Sequence, residues 1–168
     1  MLRGYEKDKE REKEEEKEIE NLKRRIENGE RRDKRKNIVI TGLKMEEEDL
    51  KSNVENWIYE TLNVEAILIK AWEVKARAGQ GIIGAECETE TMKKDIMMNE
   101  NKLKGQEIYI DKDLTWEQRE IRRKLKEKAK EAKDQGKKAV VKGDILIIDS
   151  KIYRWNDREQ KLLQTERE

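Results

Sequence analysis

Few segments of this chain are apolar enough to be buried, and this limits what it can fold into. Charged residues make up 47% of the sequence and hydrophobic residues 34%, with no phenylalanine among them. Burial of apolar surface is the main favourable contribution to folding, so this composition does not support one large core. We predict one or two small domains joined to charged, solvent-exposed segments.

The charge is unevenly distributed, although the net charge of the chain is only +1. Residues 116–142 contain 11 basic and 5 acidic residues, a local charge of +6, whereas residues 37–115 contain 10 basic and 16 acidic residues, a local charge of −6. A local excess of cations favours binding to a polyanion. Residues 116–142 are therefore the candidate region for contact with nucleic acid.

Residue types that many enzymes need are missing. The chain has no histidine, one cysteine (Cys87), and no glycine-rich phosphate loop of the GxxxxGK[ST] or GxGxxG type. This excludes histidine-activated nucleophiles and Cys/His metal sites. We therefore expect no enzymatic activity, no cofactor and no metal. Because no disulfide partner, signal peptide or membrane span is evident, we also expect a soluble intracellular protein.

The first 36 residues predict a charged helix. Ile19, Leu22 and Ile26 occupy successive a, d and a positions of a heptad repeat and form a candidate oligomerisation seam. The alternative is a single solvated helix, since several earlier seam positions are acidic. Residues 23–36 contain eight basic and three acidic residues and end in a basic hinge. The hinge residues that we expect to contact nucleic acid are Lys34, Arg35 and Lys36.

Residues 37–112 have the periodicity of an α+β domain. NIVITGL at 37–43 predicts a buried strand closed by Gly42. Residues 45–64 predict an amphipathic helix whose N-terminal turn carries the acids at 46–49 and whose apolar face is formed by Leu50, Val54, Trp57, Ile58 and Leu62. Further strands are expected at 66–74, 81–88 and 107–110, with a helix between the last two that begins at its N-cap Thr89 and ends at Gly105. The order strand, helix, strand, strand, helix, strand is the split βαβ plan of ferredoxin-like domains.

Residues 113–156 predict a second, smaller α+β domain. A helix runs from just after Asp113 to about Gln135, and strands follow at 138–141, 145–149 and 151–155. The helix is expected to pack on this three-stranded antiparallel sheet. Alternation in the last strand buries either Ile152 with Arg154 or Tyr153 with Trp155. Residues 157–168 are expected to form a polar tail.

The predicted helix of the second domain has three faces. On a helical wheel, one face is apolar (Ile121, Leu125, Ala129 and Ala132), and one is acidic with Lys124 and Lys128 among the acids. The third face is basic and contains no acid of its own. Its members are Arg119, Arg122, Arg123, Lys126, Lys130 and Lys133, and Lys137 and Lys138 extend the positive charge beyond the helix. Such a face can bind phosphates, whereas the alternative is an ordinary solvated surface helix.

Three segments that follow the coiled-coil-like leader resemble a known protein family. They are NIVITGL at 37–43, KLKGQEIYIDKDLTWEQREIRRKL at 102–125 and ILIIDSKIYRW at 145–155. They are similar to parts of the RNA-binding protein encoded by the first open reading frame of LINE-type, non-LTR retrotransposons, especially divergent invertebrate copies. The resemblance covers residues 19–156.

The resemblance implies a trimer built on the coiled coil, followed by an RNA-recognition-motif (RRM) domain and a C-terminal domain. It implies a nucleic-acid chaperone that coats single-stranded RNA, and single-stranded DNA as a second partner, in ribonucleoprotein particles of the cytoplasm and in part the nucleus. Arg119, Arg122 and Arg123 match the arginines that belong to the RNA surface in that family.

The sequence departs from a typical RRM domain at the positions that stack bases. Those positions are expected to be Val39, Ile83 and Ala85, which are aliphatic, so cationic contacts to the backbone must supply the affinity. Tyr153 is the aromatic residue assigned to the nucleic-acid-binding set. Trp72, Tyr109 and Trp155 are the other aromatic residues that could form a stacking platform, and for Trp72 and Trp155 packing in the core is favoured over base contact. The alternative function is a charge-rich coiled-coil protein that binds a partner and not nucleic acid.

Overall fold

The fold is α+β, and most of its strands form where the sequence has its short apolar segments. The computed structural model describes residues 2–74 and 81–165. The chain divides into two units, Met1–Asp113 and Leu114–Glu168, and each unit has its own apolar core.

The first unit begins with the long helix α1 (Leu2–Asp33). Its further elements are β1 (Asn37–Thr41), α2 (Leu50–Leu62), β2 (Leu68–Val74), β3 (Ile82–Cys87), α3 (Glu90–Met98), a 3-10 helix (Glu100–Leu103) and β4 (Tyr109–Lys112). All strand pairs are antiparallel, and the spatial order of the sheet is β2-β3-β1-β4. The element order is thus strand, helix, strand, strand, helix, strand after α1.

Alternate residues of the central strands, β1 and β3, point into the core of this unit. Ile38 and Ile40 of β1 are fully buried, and they pair with Ala85 and Ile83 of β3, which are buried on the same face. Helix α2 covers this face with Leu50, Val54, Ile58 and Leu62, while Trp57 packs at its margin. These residues confirm the predicted apolar face of α2, but the helix begins at Leu50, so the acids at 46–49 precede it and do not form its first turn.

Helix α3 is shorter than predicted. Thr89 is the N-cap, as expected, and its Oγ1 accepts a hydrogen bond from the backbone N–H of Met92 at 3.1 Å. However, α3 ends at Met98 and does not continue to Gly105. The Nδ2 atom of Asn99 donates to the backbone oxygen of Asp95 at 2.7 Å, and the chain tightens into the 3-10 helix. A short polar side chain that bonds the preceding turn competes with helix continuation.

The second unit consists of one helix and a four-stranded antiparallel sheet. Its elements are α4 (Trp116–Asp134), β5 (Ala139–Lys142), β6 (Ile145–Ile148), β7 (Lys151–Asn156) and β8 (Lys161–Thr165), and the strands lie in chain order. Gly136, with a φ of 82°, follows the helix and allows the chain to leave it. Leu125, Ala129 and Ala132 of α4 are buried with Ala139 and Leu146 of the sheet.

The prediction of three strands is wrong, and so is that of a polar tail over residues 157–165; residues 166–168 of the predicted tail lie outside the described residues. Residues 161–165 form β8, in which Leu162 pairs with Trp155 of β7 and packs on the core. The turn between these strands is closed when Asn156 Oδ1 accepts a hydrogen bond from the Glu159 N–H at 3.0 Å. Pairing with β7 satisfies the backbone of this polar segment, so few apolar residues are needed to order it.

The two alternatives for the face of β7 are resolved by its register. Tyr153 pairs with Leu146, a core residue of β6, and both Tyr153 and Trp155 pack on the cluster beneath α4. Ile152 pairs with Ile147 and Arg154 pairs with Ile145, on the other face of the sheet.

Candidate nucleic-acid interface

Local hydrogen bonds fix the start of α4. Thr115 is fully buried, and its Oγ1 accepts a hydrogen bond from the Gln118 N–H at 3.2 Å. The Gln118 side chain accepts one from the Thr115 N–H at 3.0 Å in return, which completes a capping box. Because Leu125, Ala129 and Ala132 anchor the other side, the orientation of the helix about its axis is determined.

Four basic side chains of α4 form an exposed row, which we call the cationic strip. All four are exposed to solvent, and none makes an ion pair with another of the described residues, 2–74 and 81–165. Their wheel positions fall within about 60° of one another. The cationic strip consists of Arg119, Lys126, Lys130 and Lys133. Cations that are not neutralised by the protein are available to an external anion.

Arg123 does not belong to the cationic strip, contrary to its predicted place on a face without acids. Its guanidinium lies 3.2 Å from Glu120 Oε2 and 2.8 Å from Glu127 Oε1. These acids lie three residues before and four residues after Arg123, which is the spacing at which helical side chains meet. Arg122 is half-buried at the border of the apolar face.

Lys124 and Lys128, the two lysines of the acidic face, each lie beside a carboxylate. The carboxylate beside Lys124 does not belong to α4. Lys128 lies 3.3 Å from Glu131 on the same helix. Lys124 instead lies 3.6 Å from Asp157, which follows β7, and 5.2 Å from the centre of the Trp155 ring. Both lysines are therefore less available to an external anion than those of the cationic strip.

Lys137 and Lys138 follow the helix, and both are exposed. The backbone of Lys138 is held by Asp149: its N–H donates to Asp149 Oδ1 at 3.1 Å, and its carbonyl accepts from the Asp149 N–H at 2.9 Å. The side chains of this pair extend the positive charge past the end of α4. Tyr153, by contrast, is half-buried against the core on the inner face of the sheet, and this position does not suit the base contact predicted for it.

Two residues of the predicted basic hinge are engaged within the first unit. Lys34 Nζ lies 3.6 Å from Asp113 Oδ1, and Arg35 Nε lies 2.9 Å from Glu90 Oε1. Lys93 Nζ donates to the backbone oxygen of Arg35 at 2.7 Å, and burial lowers the pKa of Lys93. Lys36 is exposed. The contacts of Lys34 and Arg35 hold the end of α1 against the first unit. Lys36 is therefore the hinge residue best placed to contact nucleic acid.

The sheet of the first unit presents different side chains from those expected at its stacking positions. Val39 lies on the face away from the helices, but Ile83 and Ala85 point into the core, so the predicted positions on β3 are displaced by one residue. The outward position opposite Val39 is Gly84, and the indole of Trp72 lies over it. Trp72 therefore packs on the outer face and not in the helix-covered core, whereas Trp155 does pack in a core as predicted.

Trp116 is a further candidate residue of this interface, and the charge pattern alone does not identify it. Trp116, the first residue of α4, is 67% exposed. Its wheel position lies about 60° from Arg119, on the side of the basic face. A helical wheel that includes aromatic as well as charged residues identifies this position.

The candidate seam of α1 is exposed along its whole length. Ile19, Leu22 and Ile26 are 51%, 57% and 62% exposed, and α1 is helical as predicted. An exposed row of apolar side chains on one side of a helix is a candidate surface for association.

Comparison with known proteins does not assign a function to this interface. No family model matches the sequence, and a search of characterised proteins finds no significant match. Across the described ranges, no cluster of three or more metal-ligating side chains occurs, and none of the helices there is long and apolar enough to cross a membrane.

Proposed function

We propose that this protein binds single-stranded RNA without sequence preference and acts as a nucleic-acid chaperone. The observation that carries the proposal is the cationic strip, four exposed cations on a helix whose other basic residues are paired or half-buried. Each cation that meets a phosphate releases counterions, which favours binding at low salt. Because every nucleotide carries a phosphate, this mode also accepts single-stranded DNA.

We further propose an RRM-like topology for the first unit and membership of a retrotransposon ribonucleoprotein for the protein. The strand order β2-β3-β1-β4 and the alternation of strands and helices support the topology. The three segments that resemble the LINE-type protein support the membership. The proposed chaperone would act in cytoplasmic particles and in part in the nucleus.

The first prediction concerns sequence preference. Poly-U, poly-A and a strand of mixed sequence are expected to bind within about tenfold of one another, a difference of about 1.4 kcal/mol, because phosphate contacts do not distinguish bases. If all four cations of the cationic strip contact phosphates, log affinity should fall against log salt with a slope of about −2.8. Fluorescence anisotropy at four salt concentrations measures both quantities.

Two results would contradict the proposal. A hundredfold preference for one polymer would require a base-specific pocket. Binding that does not change between low and high salt would require an apolar interface in place of phosphate contacts.

The second candidate function is a coiled-coil protein that assembles through α1, and the exposed seam favours it. Our main proposal also includes assembly through α1, in which the protein forms a homo-oligomer, specifically a trimer. If two α1 helices pair in parallel, the g and e positions of the heptad would bring Glu18 beside Lys23 of the second copy and Arg25 beside Glu30 of the second copy. Opposite charges in these positions favour pairing between identical chains.

The second prediction tests this assembly. Replacing Ile19, Leu22 and Ile26 together with Ser is expected to reduce the mass measured by light scattering to that of a monomer, because the seam loses its apolar contacts. The control replaces Glu20, Asn21 and Arg24 with Ser on the other side of the same turns, and it should keep the wild-type mass. A wild-type protein that is monomeric at high micromolar concentration would refute the oligomer.

A further inference from the structure

Trp116 lies where a base could meet the cationic strip. It precedes Arg119 by three residues, and side chains at this spacing are neighbours on a helix surface. Helical side chains tilt toward the N-terminus, so the Arg119 side chain extends in the direction of Trp116. The indole is 67% exposed and does not belong to the apolar cluster of its unit. Its exposure therefore has no explanation in the packing of the fold.

The position of Trp116 is determined even though its ring is exposed. Thr115 on one side is fully buried, and the capping box joins Thr115 to Gln118. The backbone that carries the indole is thus held at the start of a helix that packs on a sheet. A ring on a fixed backbone loses less conformational entropy on binding than a ring on a mobile loop.

We propose that Trp116 stacks on an unpaired base of the single strand whose phosphates contact the cationic strip. This inference rests on the proposed function and adds a contact to the base. By helix rise, Trp116 lies about 4.5 Å along the axis from Arg119 and about 26 Å from Lys133. The base contact therefore marks one end of the site, and the phosphate contacts extend from it along the helix.

Stacking on an indole agrees with binding that ignores sequence. Every base has a flat π face, so stacking adds affinity without selecting a base. It does select single strands, because the bases of a duplex are stacked on each other and cannot reach a ring on the protein surface. Cations alone attract both forms, so Trp116 supplies a preference for single strands that the cationic strip lacks.

The test separates base contact from phosphate contact. Wild type and Trp116→Ala are titrated with oligo-dT of about 20 nucleotides and with an abasic deoxyribose-phosphate strand of equal length. Loss of one stacked base is expected to weaken oligo-dT binding about 5- to 150-fold. Affinity for the abasic strand and the salt slope should not change, because no charge is removed. Trp116→Phe should restore most of the lost affinity, since it retains an aromatic ring.

The matched control is Tyr59→Ala, which removes another exposed aromatic residue from a different helix, α2. This variant should bind both strands as wild type does. Equal binding of oligo-dT by wild type and Trp116→Ala would overturn the stacking contact while the proposed function stands. An equal loss for the abasic strand would also overturn it. A wild-type protein that binds neither strand would refute the proposed function, and the inference with it.

Discussion

A triple substitution of Arg119, Lys126 and Lys130 with Gln is expected to weaken binding of single-stranded RNA about 50-fold at about 0.15 M salt, because three phosphate contacts and their counterion release are lost. Each lost phosphate contact removes about 0.7 from the slope of log affinity against log salt, so the slope should become shallower by about 2.1. All three side chains are exposed, and Gln is a good helix former, so the helix and the core should persist. Anisotropy titrations over a salt series measure the effect, and circular dichroism verifies the fold.

The structure provides a control with the same residue types on the same helix. Replacing Arg123, Lys124 and Lys128 with Gln also removes three positive charges, but these side chains are paired with Glu120, Glu127, Asp157 and Glu131. A phosphate would have to compete with those carboxylates, so this variant should lose much less affinity and keep most of the slope. Equal losses from the two triple variants would mean that only total charge matters and that the cationic strip is an ordinary solvated face.

The helical wheel predicted the directions of the side chains of α4 but not their partners. Leu125, Ala129 and Ala132 are buried as expected, because the wheel depends only on the period of the helix. Arg123 reaches the acids on either side of it, and Lys124 reaches Asp157 across a turn that the sequence analysis had assigned to a tail. The Arg123 pairs lie within the helix, at spacings that the sequence itself contains, whereas the Lys124 pair depends on tertiary structure, because Asp157 follows β7.

The strands show which parts of a fold local sequence can predict. NIVITGL is apolar enough to identify β1 without context. β8 is not, because its sequence KLLQT has only two apolar residues, and it is ordered by hydrogen bonds to β7. The predicted outward positions of β3 are displaced by one residue because the strand begins with two apolar residues, Ile82 and Ile83, which give no clear alternation.

The last prediction concerns the core of the second unit. Leu125 is the largest side chain that α4 buries completely, and Leu125→Ala should reduce the free energy of unfolding of this unit by about 2–5 kcal/mol. Small domains have only a few kcal/mol of stability, so we expect the second unit to be largely unfolded in this variant. The first unit has a separate core and should still show its own cooperative thermal transition.

The matched control is Leu163→Ala, which removes the same atoms from an exposed position on β8 and should change stability by less than about 1 kcal/mol. Nucleic-acid binding should be lost in Leu125→Ala and kept in Leu163→Ala, because the cationic strip exists only while α4 is helical. Calorimetry and anisotropy on the same samples compare folding with binding. If Leu125→Ala unfolds the second unit and still binds RNA with the wild-type salt slope, the binding surface lies in α1 or the hinge, and α4 has only a structural role.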